Sequence, residues 1–172
     1  MTDKELTYSV GDWIVHHMYG VGQVKKIEKK RLDQTKTEYY KVQANNSIFW
    51  VPVKNPNSDR IRPLTSTSSL KKALRFLKKT PHEMESNHNK RESRINKIRA
   101  EGKLSSICKI IRDLSAKERE KSLSTTEKQA LDTFIDLLLR EWSVCAGISI
   151  QDAQHKLQEY LKESWKKIPA KT

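Results

Sequence analysis

Val10-Gly11-Asp12-Trp13-Ile14-Val15-His16-His17-Met18-Tyr19-Gly20-Val21-Gly22-Gln23-Val24 reads as a strand, a glycine-bearing turn and a second strand. Trp13-Ile14-Val15 is β-branched and aromatic, Tyr19-Gly20 supplies the tight turn, and Val21 to Glu28 continues as strand. Downstream, Asp33-Gln34-Thr35 is a polar loop tip. From Glu38 to Ala44 the residues alternate, with Tyr40, Val42 and Ala44 on one face and Tyr39, Lys41 and Gln43 on the other. Asn45-Asn46-Ser47 suits a hairpin turn because Asn tolerates positive φ. Ile48-Phe49-Trp50-Val51 is the return strand, ended by Pro52. Roughly five short strands in about 60 residues predict a small SH3-like or Tudor-like, partly open β barrel. Such a barrel fills its interior with side chains, and its usable surface is an edge strand. Phe49 and Trp50 are neighbours on one strand and point to opposite faces, so either one is exposed or both pack.

After Ser66 the period changes to that of helices. Leu70, Ala73, Leu74 and Leu77 form one apolar stripe, stopped at Thr80-Pro81. Ile95 and Ile98 mark a thinner stripe that ends at Gly102. Leu104, Ile107, Cys108, Ile111 and Leu114 form the next. Ser124-x-x-Glu127 is a capping box opening a long helix through Leu131, Phe134, Ile135, Leu138 and Trp142, with Gly147 at its end. Ser149-x-x-Asp152 caps a last helix through Ala153, Leu157, Tyr160 and Leu161. The fold class is therefore α+β: a Tudor/SH3-like barrel over 1–66, an all-helical domain of about five helices over 67–165, and a frayed basic tail over 166–172. Trp142 is a core residue on this pattern, and Cys108 and Cys145 are reduced thiols on apolar stripes.

Among the 172 residues, 34 Lys/Arg face 21 Asp/Glu, a net charge of +13. Residues 67–172 carry +9 of it, and Lys71 to Lys103 alone hold 11 basic and 4 acidic residues. Clustering of this kind is the electrostatic footprint of a nucleic-acid binder. No run of about 18 apolar residues predicts a membrane span. Met1-Thr2-Asp3-Lys4-Glu5 has no apolar signal core, so a cytoplasmic protein is expected. His16-His17 are adjacent on a strand, point to opposite faces and have no third ligand nearby, so no metal is expected. Gly20-Val21-Gly22 lacks the Lys-Ser/Thr ending of a phosphate loop. No nucleophile–base pattern is visible, and the reading is of a binder without cofactor or catalysis.

Val10-Gly11-Asp12, Val15-His16, Tyr19-Gly20-Val21-Gly22, Ile27-Glu28, Tyr39-Tyr40 and Val51-Pro52-Val53, in that order, resemble the CarD/CdnL family of bacterial transcription regulators. The same β module is similar to the polymerase-interacting domain of the transcription-repair coupling factor. Arg112-Asp113-Leu114, Glu120-Lys121-Ser122-Leu123-Ser124 and Glu127-Lys128 extend the resemblance through the helices. It implies a β module that binds the β-subunit lobe of RNA polymerase. It implies a helical module that touches promoter DNA at the upstream edge of the bubble, stabilising the open complex. The polymerase contact falls on the basic positions after Ile-Glu, here Lys29 and Lys30, and on the position before Val-Pro, Trp50, with Val51 beside it. A family Trp at the start of the second helix, which wedges into the minor groove, is replaced by His88. Lys90, Arg91, Arg94 and Lys97 follow at helical spacing and are expected to line phosphates without reading sequence. The resemblance implies a monomer of the bacterial cytoplasm, associated with the nucleoid. Alternatives are a polymerase-binding factor that scarcely engages DNA, a protein adaptor, or an RNA- or ribosome-associated protein. RNA platforms usually expose several stacking aromatics, and Lys78 to Lys103 contains none.

Overall fold

The computed structural model describes residues 8–32, 34–54 and 60–171. The stretch Met1-Thr2-Asp3-Lys4-Glu5, and Asp33 of the expected loop tip, lie outside these residues. The chain divides into two units, residues 1–64 and 65–172.

The first unit is one antiparallel sheet of β1 (Trp13–His16), β2 (Gly20–Leu32), β3 (Thr35–Ala44), β4 (Ser47–Pro52) and β5 (Ile61–Pro63). The order β4-β3-β2-β1-β5 leaves β4 and β5 at the edges. The alternation expected in β3 holds: Tyr40, Val42 and Ala44 are buried with Ile14, Val24, Phe49, Val51 and Ile61. Gly22 sits where β2 pairs with both neighbours, opposite Ile14 and Ala44. A Cβ there would lie 2.7 Å from the Val42 Cγ1, so glycine is what lets β2 and β3 approach. Strands β2 and β3 run further than alternation alone indicates, pairing Lys29↔Glu38 through Leu32↔Thr35. Apart from Leu32 that extension is made of polar residues, so its ladder leaves no hydrophobic period to read. The Asn45-Asn46 turn links Ala44 to its partner Ser47, but neither Asn has positive φ. The turn is thus built without the left-handed backbone expected of Asn; among described non-glycine residues positive φ occurs at Gln34 and Arg60.

The second unit contains α1 (Thr67–Leu74), a 3-10 turn (Arg75–Lys78), α2 (His88–Glu101), α3 (Leu104–Glu120), α4 (Thr125–Ala146) and α5 (Ile150–Trp165). The predicted stripes converge on one core: Leu70, Leu77, Ile95, Ile111, Leu138 and Leu157 are all within it. Trp142 is buried there and stacks on Tyr160 with ring centroids 5.8 Å apart. Cys108 is buried and Cys145 half-buried, both as free thiols. Both halves of the Ser124/Glu127 capping box form. Gly102 ends α2 with φ 60°, a left-handed position that glycine adopts without penalty. No helix among the described residues is long and apolar enough to cross a membrane.

Candidate functional site

Strand β4 separates its side chains by alternation. Phe49 and Val51 turn into the core, while Ile48 and Trp50 stay 45% and 40% exposed on the outer face. The ladder sets Trp50 opposite Lys41 on β3, and Lys41 opposite Lys26 on β2. Glu28 is the hub of that face. It accepts from the Trp50 indole Nε1 at 3.0 Å, pairs with Lys26 at 2.6 Å and lies 4.0 Å from the Lys41 ammonium. Lys26 foremost, then the Trp50 indole, holds the Glu28 carboxyl down at about 2. The Lys30 ammonium stands 3.2 Å from the Trp50 ring centroid, a cation–π pair.

The expected polymerase-contact residues therefore separate into two groups. Lys30 and Trp50 are brought together. Lys29, the next residue along β2, alternates to the other face and lies 3.7 Å from Glu38. Val51 is 1% exposed, so its side chain serves the core and only its backbone on edge strand β4 can meet a partner. Nearby, His16 accepts from the backbone N–H groups of Met18 and Tyr19 through Nδ1, which shapes the β1–β2 turn.

In the helical unit, α2 starts where the Asn87 side chain accepts from the Lys90 N–H at 3.1 Å. Of the five DNA-facing candidates, His88, Lys90 and Lys97 are exposed. Lys90 and Lys97 are seven residues apart and share one flank; His88, two residues before Lys90, lies on the first turn at nearly the opposite flank. Arg91 and Arg94 do something else: they turn inward. Arg91 donates to Glu127 at 2.6 Å and to the carbonyls of Glu85 and Ser86 at 2.8 and 2.7 Å. Arg94 donates to Asp113 at 2.6 Å. Their guanidiniums are committed to carboxylates on α4 and α3, so they anchor α2 and are not free to line phosphates.

Two buried carboxylates organise these anchors. Asp113 also accepts from Arg112 at 2.7 Å and from the His82 N–H at 2.9 Å. Glu127 takes two bonds of 2.7 Å from Lys117 and one from the Ser124 N–H at 2.9 Å. Burial pushes the Glu127 carboxyl up, but Lys117, the Ser124 backbone and Arg91 together hold it down at about 2. Glu127 is visible in the sequence as half of a capping box, whereas its ion pairs with Arg91 and Lys117 are not. The signal for Asp113 was a charged pair, Arg112-Asp113, set directly between the apolar stripe residues Ile111 and Leu114.

Comparison with known proteins covers both units. Residues 8–65 match the family described as "CarD-like/TRCF RID domain". Residues 72–158 match "CarD, C-terminal domain". A relative from Bacillus subtilis (strain 168), named "Putative transcription factor YdeB", is 28% identical over 145 residues, covering 83% of this chain and 94% of that protein.

Proposed function

The chain belongs to the CarD family, and from that premise we propose that it is a non-catalytic transcription regulator that docks on the β-subunit lobe of RNA polymerase. The same reading has its helical unit contact upstream promoter DNA and stabilise the open complex. The observation that carries the docking half is the outer face of β4. There Trp50 is exposed, braced by Glu28 and covered by Lys30. An aromatic anchor ringed by Lys26, Lys30 and Lys41, beside an unpaired strand edge, suits a partner strand carrying acidic and apolar side chains. The residues we assign to this contact are Lys30 and Trp50, with the Val51 backbone; Lys29 would be peripheral.

On the DNA side, Lys90 and Lys97 remain as phosphate contacts on α2, with His88 at its first turn. That small number favours weak and largely non-specific binding by α2, with a shallow salt dependence. It is also the observation that keeps the second reading in view, a polymerase-bound factor with little DNA engagement. The test is the lifetime of open promoter complexes formed with the full chain, compared with Lys30→Glu, His88→Ala and His88→Trp. Wild type should lengthen the lifetime, Lys30→Glu should abolish the effect, and His88→Trp should enhance it. An effect that Lys30→Glu leaves intact refutes docking through this face. If His88→Ala behaves as wild type, His88 has no part in holding the melted junction.

A further inference from the structure

The basic excess that begins at Lys71 is only partly used by α2. From Thr65 to His82 there are five Lys/Arg and no Asp/Glu. Among the described residues, Lys71, Lys72, Arg75 and Lys79 have no carboxylate within ion-pair distance, whereas Arg91, Arg94, Arg112 and Lys117 all do. The exception in this stretch is Lys78, which lies 3.7 Å from Glu163 and 4.1 Å from the Tyr160 ring centroid.

Phe76 sits half-buried in the 3-10 turn, packed against the helical core. Two ammoniums flank it: Lys79 at 4.8 Å and Lys109 of α3 at 4.4 Å from the ring centroid. They are therefore within about 9 Å of each other. Both are exposed, and neither has a carboxylate partner among the described residues. Unbalanced like charges held this close raise the local potential and attract an anion.

The platform beneath them is fixed. The carbonyl of Phe76 accepts from Arg112 at 3.4 Å, that of Lys78 from Lys167 at 2.6 Å, and that of Lys79 from the buried Ser164 hydroxyl at 2.6 Å. Lys79 thus sits at the end of a turn tied to α3, to α5 and to the residues after α5, and Lys109 sits on α3 itself, so holding the two together on binding costs little extra ordering. Lys72 is exposed and stands four residues before Phe76, the spacing that places residues on one helix face.

We propose that Lys72, Lys79 and Lys109, arranged about Phe76, form a second duplex-phosphate surface, separate from the Lys90/Lys97 flank of α2. The inference rests on the reading that this protein engages DNA, and it extends the footprint beyond α2. Lysine ammoniums are compact point charges suited to phosphate oxygens. A row of them without acidic partners fits a polyanion better than a mixed protein surface.

The test is duplex binding by the full chain, with affinity measured as salt rises from about 50 to 200 mM. Wild type is compared with Lys79→Gln/Lys109→Gln, Lys79→Arg/Lys109→Arg and Lys90→Gln/Lys97→Gln. Loss of two phosphate contacts should lower the slope of log affinity against log salt by about 2 in the Gln pair at 79/109. The Arg pair should keep the wild-type slope. Unchanged thermal melting confirms that these exposed substitutions leave the fold intact. A slope lowered by the 90/97 pair and untouched by the 79/109 pair overturns this surface alone. Absence of any salt-dependent duplex binding in wild type overturns the DNA reading as a whole. Polymerase affinity lost in the 79/109 pair, with the duplex slope intact, assigns the patch to a protein partner and also overturns the proposal.

Discussion

Trp50 has two roles at once. Its indole N–H neutralises part of the Glu28 demand, and its ring holds the Lys30 ammonium at 3.2 Å. A cation–π pair at an exposed site contributes about 0.5–1 kcal/mol, so it orients Lys30 more than it stabilises the fold. Glu127 is the opposite case. Its side chain is 4% exposed and surrounded by donors, so removing it strands Arg91 and Lys117. Glu127→Ala should destabilise the protein by about 3–5 kcal/mol, read by chemical denaturation. A loss within about 0.5 kcal/mol would mean that the pairs are cosmetic. The pH dependence follows from the sign of its shift. The folded carboxyl lies at about 2, below its ordinary 4.5. Its contribution is therefore complete above about 4.5 and drains as pH falls toward about 2. Acid titration of stability in wild type should show this loss, and Glu127→Gln should flatten it.

At the scale of elements, the sheet tolerates little at Gly22. Gly22→Ala drives a methyl against Val42 and should cost about 1–3 kcal/mol, seen as a lowered denaturation midpoint. Helix α4 depends on its cap in a graded way. Ser124→Ala removes the acceptor of the Glu127 N–H and should cost about 1 kcal/mol, well short of Glu127→Ala. Much of this level was legible in the sequence. The stripe of α3, the cap of α4 and the alternation of β3 all follow from local spacing. Strand β5 was not legible, because Ile61–Pro63 is too short to show a period. The fates of Arg91 and Arg94 were hidden for a different reason. Their partners lie 36 and 19 residues away, and helical spacing along α2 does not say which flank meets them. The same distance effect joined Lys30 to Trp50. Each was identified singly by resemblance, while their pairing required the β2–β3–β4 register.

In the whole molecule the charge is unevenly divided, and residues 67–172 carry +9 of the net +13. The sheet unit presents Trp50 on its outer face beside Lys30 and Lys41. The helical unit commits Arg91, Arg94 and Arg112 to internal carboxylates and leaves Lys72, Lys79, Lys90, Lys97 and Lys109 exposed, so DNA contacts made through these lysines would be diffuse and dependent on salt. If the proposed docking holds, weak DNA binding would suffice, because tethering would raise the effective concentration of the helices at the promoter. Docking on polymerase is therefore the step on which the proposed function depends. The measurement that tests it most directly is the affinity of the full chain for the polymerase β-subunit lobe, taken for wild type, Lys30→Glu, Trp50→Ala and the double variant. Wild type should bind, each single variant should lose at least about tenfold, and the double should show coupled rather than additive losses. A wild-type chain that does not bind the lobe, or a double variant that binds as wild type does, would contradict the proposed docking.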